Sequence, residues 1–200
     1  MRLLLATRNP GKLRELRALL ADLPLECLSL ADVGVATDIP ETGASLKENA
    51  ILKARGYAEL SGLTTLADDS GLEVDALGGE PGVHSSRWAG PGATDADRIR
   101  KLLERLRGVP PQRRQARFRA VAAIATPDGR LYTTEGTLEG VIADRPRGSG
   151  GFGYDPVFLV PDLGKTVAEL DPETKNRISH RARAILAARP ILEQLAAEEM

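Results

Sequence analysis

The stretch that most restricts the fold is Pro127-Asp128-Gly129, a turn signal between two long runs, ARFRAVAAIAT at 116–126 and RLYTTEGTLEGVIA at 130–143. Asp and Gly are suited to tight reversals, and the apolar and β-branched flanks read as strands, so the segment predicts a β-hairpin with long arms. A hairpin alone is marginal in water and needs further strands or helices to cover it. The first half of the chain supplies them. Residues 2–7 (RLLLAT) read as a buried strand, 25–30 (LECLSL) as a second, and Leu63 to Ala67 as a short third that ends at Asp68-Asp69. Helical patterns fall between them. Alternation early and a hairpin late predict an α/β fold over residues 1–200, one domain with an elongated mixed sheet and flanking helices forming two lobes around a central ligand cleft.

The helix starts carry their own signals. Asn9 precedes Pro10, a cap followed by proline at the first helical position, and Leu13, Leu16, Leu19 and Leu20 give that helix an apolar face. Ser45 and Glu48 have capping-box spacing, with the helix running to about Leu60. Thr94 or Asp95 caps a helix that continues through Leu106. Gly108-Val109-Pro110-Pro111 then separates the two halves, 157–160 (VFLV) is a further strand, and the tail from about Asn176 is helical with a kink expected at Pro190.

Composition excludes several classes of function. A formal net charge of −1 argues against non-specific nucleic-acid binding, so no nucleic-acid partner is expected. One Cys and two His make a zinc site and an internal disulfide poor readings. No run approaches the roughly 18 apolar residues of a membrane span, and the apolar start MRLLLATRN is too short for a signal peptide. The expectation is a cytoplasmic protein with no membrane partner.

Four clusters could carry chemistry. Thr7-Arg8-Asn9-Pro10-Gly11-Lys12 lies where a strand passes into a helix, a place where backbone N–H groups and the helix dipole attract phosphate and Lys12 adds charge; the same residues also read as a plain cap. Glu41, Glu48, Asp68 and Asp69 are acidic. Magnesium takes a few carboxylates with waters and substrate phosphates. Glu48 is most simply the partner of Ser45, which leaves Glu41 and one aspartate as the better ligands; the doublet read alone is equally a surface turn. The loop Gly150-Gly151-Phe152-Gly153-Tyr154-Asp155-Pro156 holds two of the seven aromatic residues, on which a base could stack, or which could anchor a turn in the core. Lys175 to Arg181 (KNRISHR) brings His180 and Arg181 to the start of the last helix, as donors to a carbonyl or phosphate or as a solvated face. A fifth stretch, Gly82 to Gly90 (GVHSSRWAG), reads as packing or a substrate rim, since His84 lacks the partners of a hydrolase triad.

Taken together, these stretches resemble the inosine triphosphate pyrophosphatase family of house-cleaning nucleoside triphosphate diphosphatases. The matching segments are ATRNPGK at 6–12, ETGASLKENAILKA at 41–54, LADDSGLEVDALGG at 66–79, PGVHSSRWAG at 81–90, QARFRA at 115–120, GFGYDPVF at 151–158, KTVAEL at 165–170 and SHRA at 179–182. Their order and spacing cover nearly the whole chain, whereas 91–114 carries little of the pattern.

The resemblance implies hydrolysis of ITP, dITP and XTP to the monophosphate and pyrophosphate, a Mg²⁺ cofactor, a homodimer, and a nucleotide in the central cleft. It further implies that Thr7, Arg8, Asn9, Pro10, Gly11 and Lys12 hold the triphosphate, that Glu41 and Asp69 hold the metal, and that Asp69 is the base. Ser70 would touch substrate. Phe152, Gly153, Tyr154 and Asp155 would form a wall beside the base, and Lys175, His180 and Arg181 would complete the pocket. Donors such as His180 and Arg181 would favour the 6-oxo acceptor of hypoxanthine and xanthine over the 6-amino donor of adenine.

Overall fold

The computed structural model describes residues 1–199. Seven strands form one mixed sheet among the described residues: β1 (Arg2–Leu5), β2 (Glu26–Ser29), β3 (Thr64–Val74), β4 (Gln115–Ala125), β5 (Leu131–Ile142), β6 (Phe158–Val160) and β7 (Lys165–Thr166), in the order β2-β1-β3-β4-β5-β6-β7. Five α-helices flank it: α1 (Pro10–Leu19), α2 (Leu46–Ser61), α3 (Asp95–Arg105), α4 (Pro172–Ile178) and α5 (His180–Glu198). The predicted α/β class therefore holds. By backbone contacts the chain divides into two compact units, one of residues 1–69, 120–136 and 180–200, the other of 70–119 and 137–179.

In the first unit β1 pairs in parallel with β2 and with β3, each step passing through a helix as parallel pairing requires. Its core joins Leu3 and Leu5 of β1, Leu16 and Leu19 of α1, Leu66, Ile124, and Ile185, Ala188 and Leu192 of α5. Each fully buried leucine contributes about 1.5–3 kcal/mol relative to exposure. In the second unit β5 pairs antiparallel with β6, and β6 with β7. Its separate core holds Leu72, Val74, Ile99, Leu102, Phe118 and Phe158, with the last two rings stacked at 4.2 Å between centroids. Trp88 leans on this core and lies under the Lys101 ammonium, a packing role as expected.

The capping signals behave as the sequence predicts. Asn9 Oδ1 accepts from the Gly11 and Lys12 amides, and Ser45 Oγ accepts from the Glu48 amide. Thr94, not Asp95, caps α3, in a reciprocal box with Asp97. Two expectations need correction. Strand β3 does not stop at the acidic doublet but continues through Asp68, Asp69, Ser70 and Gly71 to Val74. Its place between β1 and β4 overrides the turn preference of those residues, and Gly71 fits because a Cβ there would overlap the Gly82 carbonyl. The C-terminal helix is two helices, since Ser179 leaves the helical conformation (ψ 156°) between α4 and α5. Pro190 lies inside α5 without ending it.

Candidate active site

In the first unit, α1, the loop before α2, α2, β3 and α5 deliver a cluster of buried and half-buried charge. Asp68 and Asp69 are 2% and 8% exposed. Lys12, near the start of α1, places Nζ 3.1 Å from Asp68 Oδ2. Arg181, one residue into α5, donates from Nε to the same oxygen (3.0 Å) and from Nη1 to Glu15 Oε2 (2.6 Å). Helix α5 can lie this close to β5 because residue 136 is glycine: a Cβ there would overlap the His180 carbonyl and the Ala184 amide. On α2, Lys53 Nζ sits 2.7 Å from Glu41 Oε1 and 3.8 Å from Asp69 Oδ1, and donates to the Asp68 carbonyl at 2.6 Å.

These ion pairs set Lys12, Lys53 and Arg181 against Glu15, Glu41, Asp68 and Asp69. Burial and neighbouring charge together set the titration of each group. Burial alone would raise the Asp68 pKa, but Lys12, Arg181 and Lys53 outweigh it and hold the carboxyl far below its usual range. Asp69 is raised, chiefly by burial and further by Glu41 and Asp68, against the pull of Lys53 and Lys12. Lys12 is lowered, with desolvation the largest cause. Lys53 is desolvated too, yet the three acids around it raise its pKa.

One buried oxygen, Asp68 Oδ1, has no hydrogen-bond partner. A buried carboxylate oxygen left so is costly unless something else meets it, and it marks a place for a cation or an ordered water. Among the described residues no group of three or more His, Cys, Asp and Glu side chains is arranged as a complete metal cage. Magnesium does not need one, since one or two carboxylates with waters and substrate phosphates suffice. Glu41 and Asp69, already bridged by the Lys53 ammonium, fit a divalent ion in that sense.

The other predicted phosphate-side residues are arranged differently than their sequence suggests. The amides of Gly11 and Lys12 are engaged by Asn9 Oδ1, and Thr7 Oγ1 accepts the Asn9 amide. Donation toward a phosphate therefore falls to the Lys12 ammonium and to side-chain donors. Pro10, exposed, opens α1. The exposed Arg8 donates to Asp38 Oδ1 (2.5 Å) and to the Val35 and Thr37 carbonyls, which ties it to segment 35–38. Glu48 is exposed and accepts from the Ala44 amide, one residue before the Ser45 amide that the expected capping box would engage.

In the second unit the glycine-rich loop is built around one buried pair. Lys175 Nζ lies 2.8 Å from Asp155 Oδ2 and 4.6 Å from the centre of the Phe152 ring. Asp155 Oδ2 also accepts the Phe152 amide. Gly151 has φ +69°, and a Cβ there would overlap the Asp155 carboxylate, so glycine is required. Tyr154 is buried, which raises its pKa, and its hydroxyl donates to the Ser85 carbonyl at 2.7 Å. Ser85 Oγ donates to Gly82 O and accepts the Leu72 amide. Ser70 is half-buried on β3, and His84 is exposed, its Nδ1 3.4 Å from the Arg87 guanidinium.

Structure thus gathers Lys12, Glu41, Asp68, Asp69 and Arg181 in one unit and Phe152, Tyr154, Asp155 and Lys175 in the other. His180, buried, opens α5 beside Arg181. Sequence reasoning missed Glu15 and Lys53. Glu15 stands three residues after Lys12, beside the apolar face of α1, and Lys53 stands one turn after the fully buried Asn49 on α2. A charge flanking a buried helical face is the signal that could have found both.

A parallel β1–β3 pair with its helices and a carboxylate-rich, lysine-bearing cluster define an α/β protein with a cation- and phosphate-compatible centre. The chain belongs to the Ham1 family, whose model matches residues 3–191. It is 52% identical over 183 residues to a dITP/XTP pyrophosphatase of Geobacillus kaustophilus, covering 92% of this chain and 90% of the relative. It is 54% identical over 187 residues to a dITP/XTP pyrophosphatase of Thermus thermophilus, covering 94% and 89%. Among solved structures, a HAM1 protein from Coxiella burnetii superposes with a TM-score of 0.88 at 45% identity over 97% of this chain and 99% of that one.

Proposed function

We propose that this chain hydrolyses non-standard purine nucleoside triphosphates, ITP, dITP and XTP, to the nucleoside monophosphate and pyrophosphate. The observation that carries the reading is the first-unit cluster, in which the buried Asp68 and Asp69 lie among Lys12, Lys53 and Arg181 and one Asp68 oxygen is unsatisfied, in a chain more than half identical over some nine-tenths of its length to relatives named dITP/XTP pyrophosphatases.

In this reading Lys12, with Thr7, Arg8, Asn9, Pro10 and Gly11 about it, binds the triphosphate. Glu41 and Asp69 hold Mg²⁺, which when bound supplies positive charge against the charge developing on the phosphate oxygens and makes nearby water more acidic. Asp69 orients a water toward the α-phosphorus and takes its proton. The new bond is from water oxygen to phosphorus, the bond to the bridging oxygen breaks, and pyrophosphate leaves with the electron pair. The raised pKa of Asp69, chiefly from burial, makes it a better base than an ordinary aspartate. Asp68, held ionised, keeps Lys12 and Arg181 in place.

Ser70, Phe152, Gly153, Tyr154, Asp155, Lys175, His180 and Arg181 are assigned to the nucleoside end. Two of the Arg181 donors are engaged by Asp68 and Glu15, so preference for a 6-oxo base falls more heavily on His180 than the sequence implies. Cytoplasmic location and homodimerisation belong to the same proposal; no helix among the described residues is long and apolar enough to cross a membrane. The test is incubation with ITP, XTP, GTP and ATP, with and without Mg²⁺. Pyrophosphate from ITP and XTP alone, only with the metal, is the expected result. Orthophosphate, or equal rates with ATP, would overturn the proposal.

A further inference from the structure

Helix α3 has a carboxylate that its own start does not need. Thr94 Oγ1 accepts the Asp97 amide, and Asp97 Oδ2 accepts the Thr94 amide, so the capping box is complete without Asp95. The Asp95 carboxylate points elsewhere. Its Oδ2 accepts the Gly153 amide at 2.8 Å, and its Oδ1 takes a hydrogen bond from Arg98 Nη1 at 2.9 Å. Arg98 Nε in turn donates to the Ser86 carbonyl at 2.7 Å. The neighbouring carbonyl, Ser85 O, accepts the Tyr154 hydroxyl. Two consecutive loop residues, Gly153 and Tyr154, are therefore tied to the 85–86 segment, one through Asp95 and Arg98 and one directly.

Tyr154 also packs in the core cluster that holds Ile99 and Leu102 of α3, whereas Asp95, Ile99 and Leu103 line a cavity of about 640 Å³ together with Pro146, Gly148 and Pro156, so the hydrogen bond to Gly153 ties the loop beside an open cavity. We propose that Asp95 is a positioning residue: by accepting the Gly153 amide it sets the register of Phe152 and Tyr154 and so the nucleoside side of substrate binding. This rests on the assignment of those two aromatics to the nucleoside end.

Two variants test it. Asp95→Ala removes the acceptor, whereas Asp95→Asn keeps a carbonyl oxygen that can accept the amide. In protein without nucleotide, Asp95→Ala is expected to speed hydrogen exchange at the Gly153 amide about tenfold, the loss of one bond to a charged acceptor, with Asp95→Asn near the parent. In steady state, Asp95→Ala is expected to raise KM for ITP about five- to tenfold with kcat within about twofold, again rescued by Asp95→Asn. Unchanged exchange in Asp95→Ala overturns the anchor. Faster exchange with unchanged KM, in protein that hydrolyses ITP, overturns the positioning role. Equal falls in kcat and thermal midpoint in both variants reduce Asp95 to a structural residue and overturn it too. If the parent hydrolyses neither ITP nor XTP, the proposed function fails and the positioning role fails with it, while exchange at Gly153 still decides the anchor.

Discussion

Both compact units bury a lysine against an aspartate, and the two pairs are built for different ends. Lys175 and Asp155 are 2.8 Å apart, and the carboxylate also takes a backbone amide of its own loop. Lys12 and Asp68 are 3.1 Å apart in a crowd, where Arg181, Lys53, Glu15, Glu41 and Asp69 also meet. The first pair ties a loop together. In the second, the buried Asp68 Oδ1 is left without a hydrogen-bond partner, the observation on which the proposed cation site rests. The contrast extends to the doublet itself: its two adjacent carboxylates titrate in opposite directions.

The largest expected effect breaks or upholds the chemical half of this contrast. Asp69→Asn should lower kcat for ITP about 10³-fold or more, the scale of a lost general base that also holds the ion, while nucleotide binding stays measurable by calorimetry. Near-normal turnover would remove Asp69 from the reaction.

Next come the stability effects. Asp155→Ala leaves Lys175 buried without its carboxylate and should cost about 3–5 kcal/mol in chemical denaturation. Asp68→Asn should also destabilise at pH 7. The sign follows from its depressed pKa: the stabilisation is fully present above the ordinary value near 3.8 and is lost as pH falls through the lower value in the folded state. Equal stabilities of Asp68→Asn and parent at pH 7 would contradict the cluster described here.

The smallest effect concerns the platform of the aromatic loop. Hydrogen bonds from the Thr94 amide and hydroxyl, together with Arg100, hold Asp97 down to about 2. Its support for the start of α3 should be intact above about pH 4 and fade toward pH 2, read as a loss of amide protection in the first turn of α3. Protection independent of pH over that window would remove the box from the scaffold.

Legibility in the sequence divides along physical lines. Features fixed by neighbours in the chain were readable: Asn9-Pro10 at the start of α1, Ser45 before α2, the turn at Pro127 to Gly129 between β4 and β5. Features decided by distant partners were not. Asp-Asp-Ser-Gly has turn chemistry, yet β3 runs straight through it as part of an eleven-residue strand that lies between β1 and β4 in the sheet. Lys53 and Glu15 look like solvated helix charges until β3 and α5 bring Asp69 and Arg181 to them. The stretch at 7–12 was legible as a motif, but not the capture of its amides by Asn9.

The cation site proposed for the first-unit cluster is most directly tested by thermal unfolding of the parent and Asp69→Asn at pH 7, each with and without millimolar Mg²⁺. Because burial raises the Asp69 pKa, its ionised form costs the fold stability above that pKa, a cost relieved as pH falls through it. The expected result is a variant that melts at or above the parent without Mg²⁺, and a rise with Mg²⁺ in the parent alone. A variant that melts well below the parent, or a rise of the same size in both proteins, would contradict it.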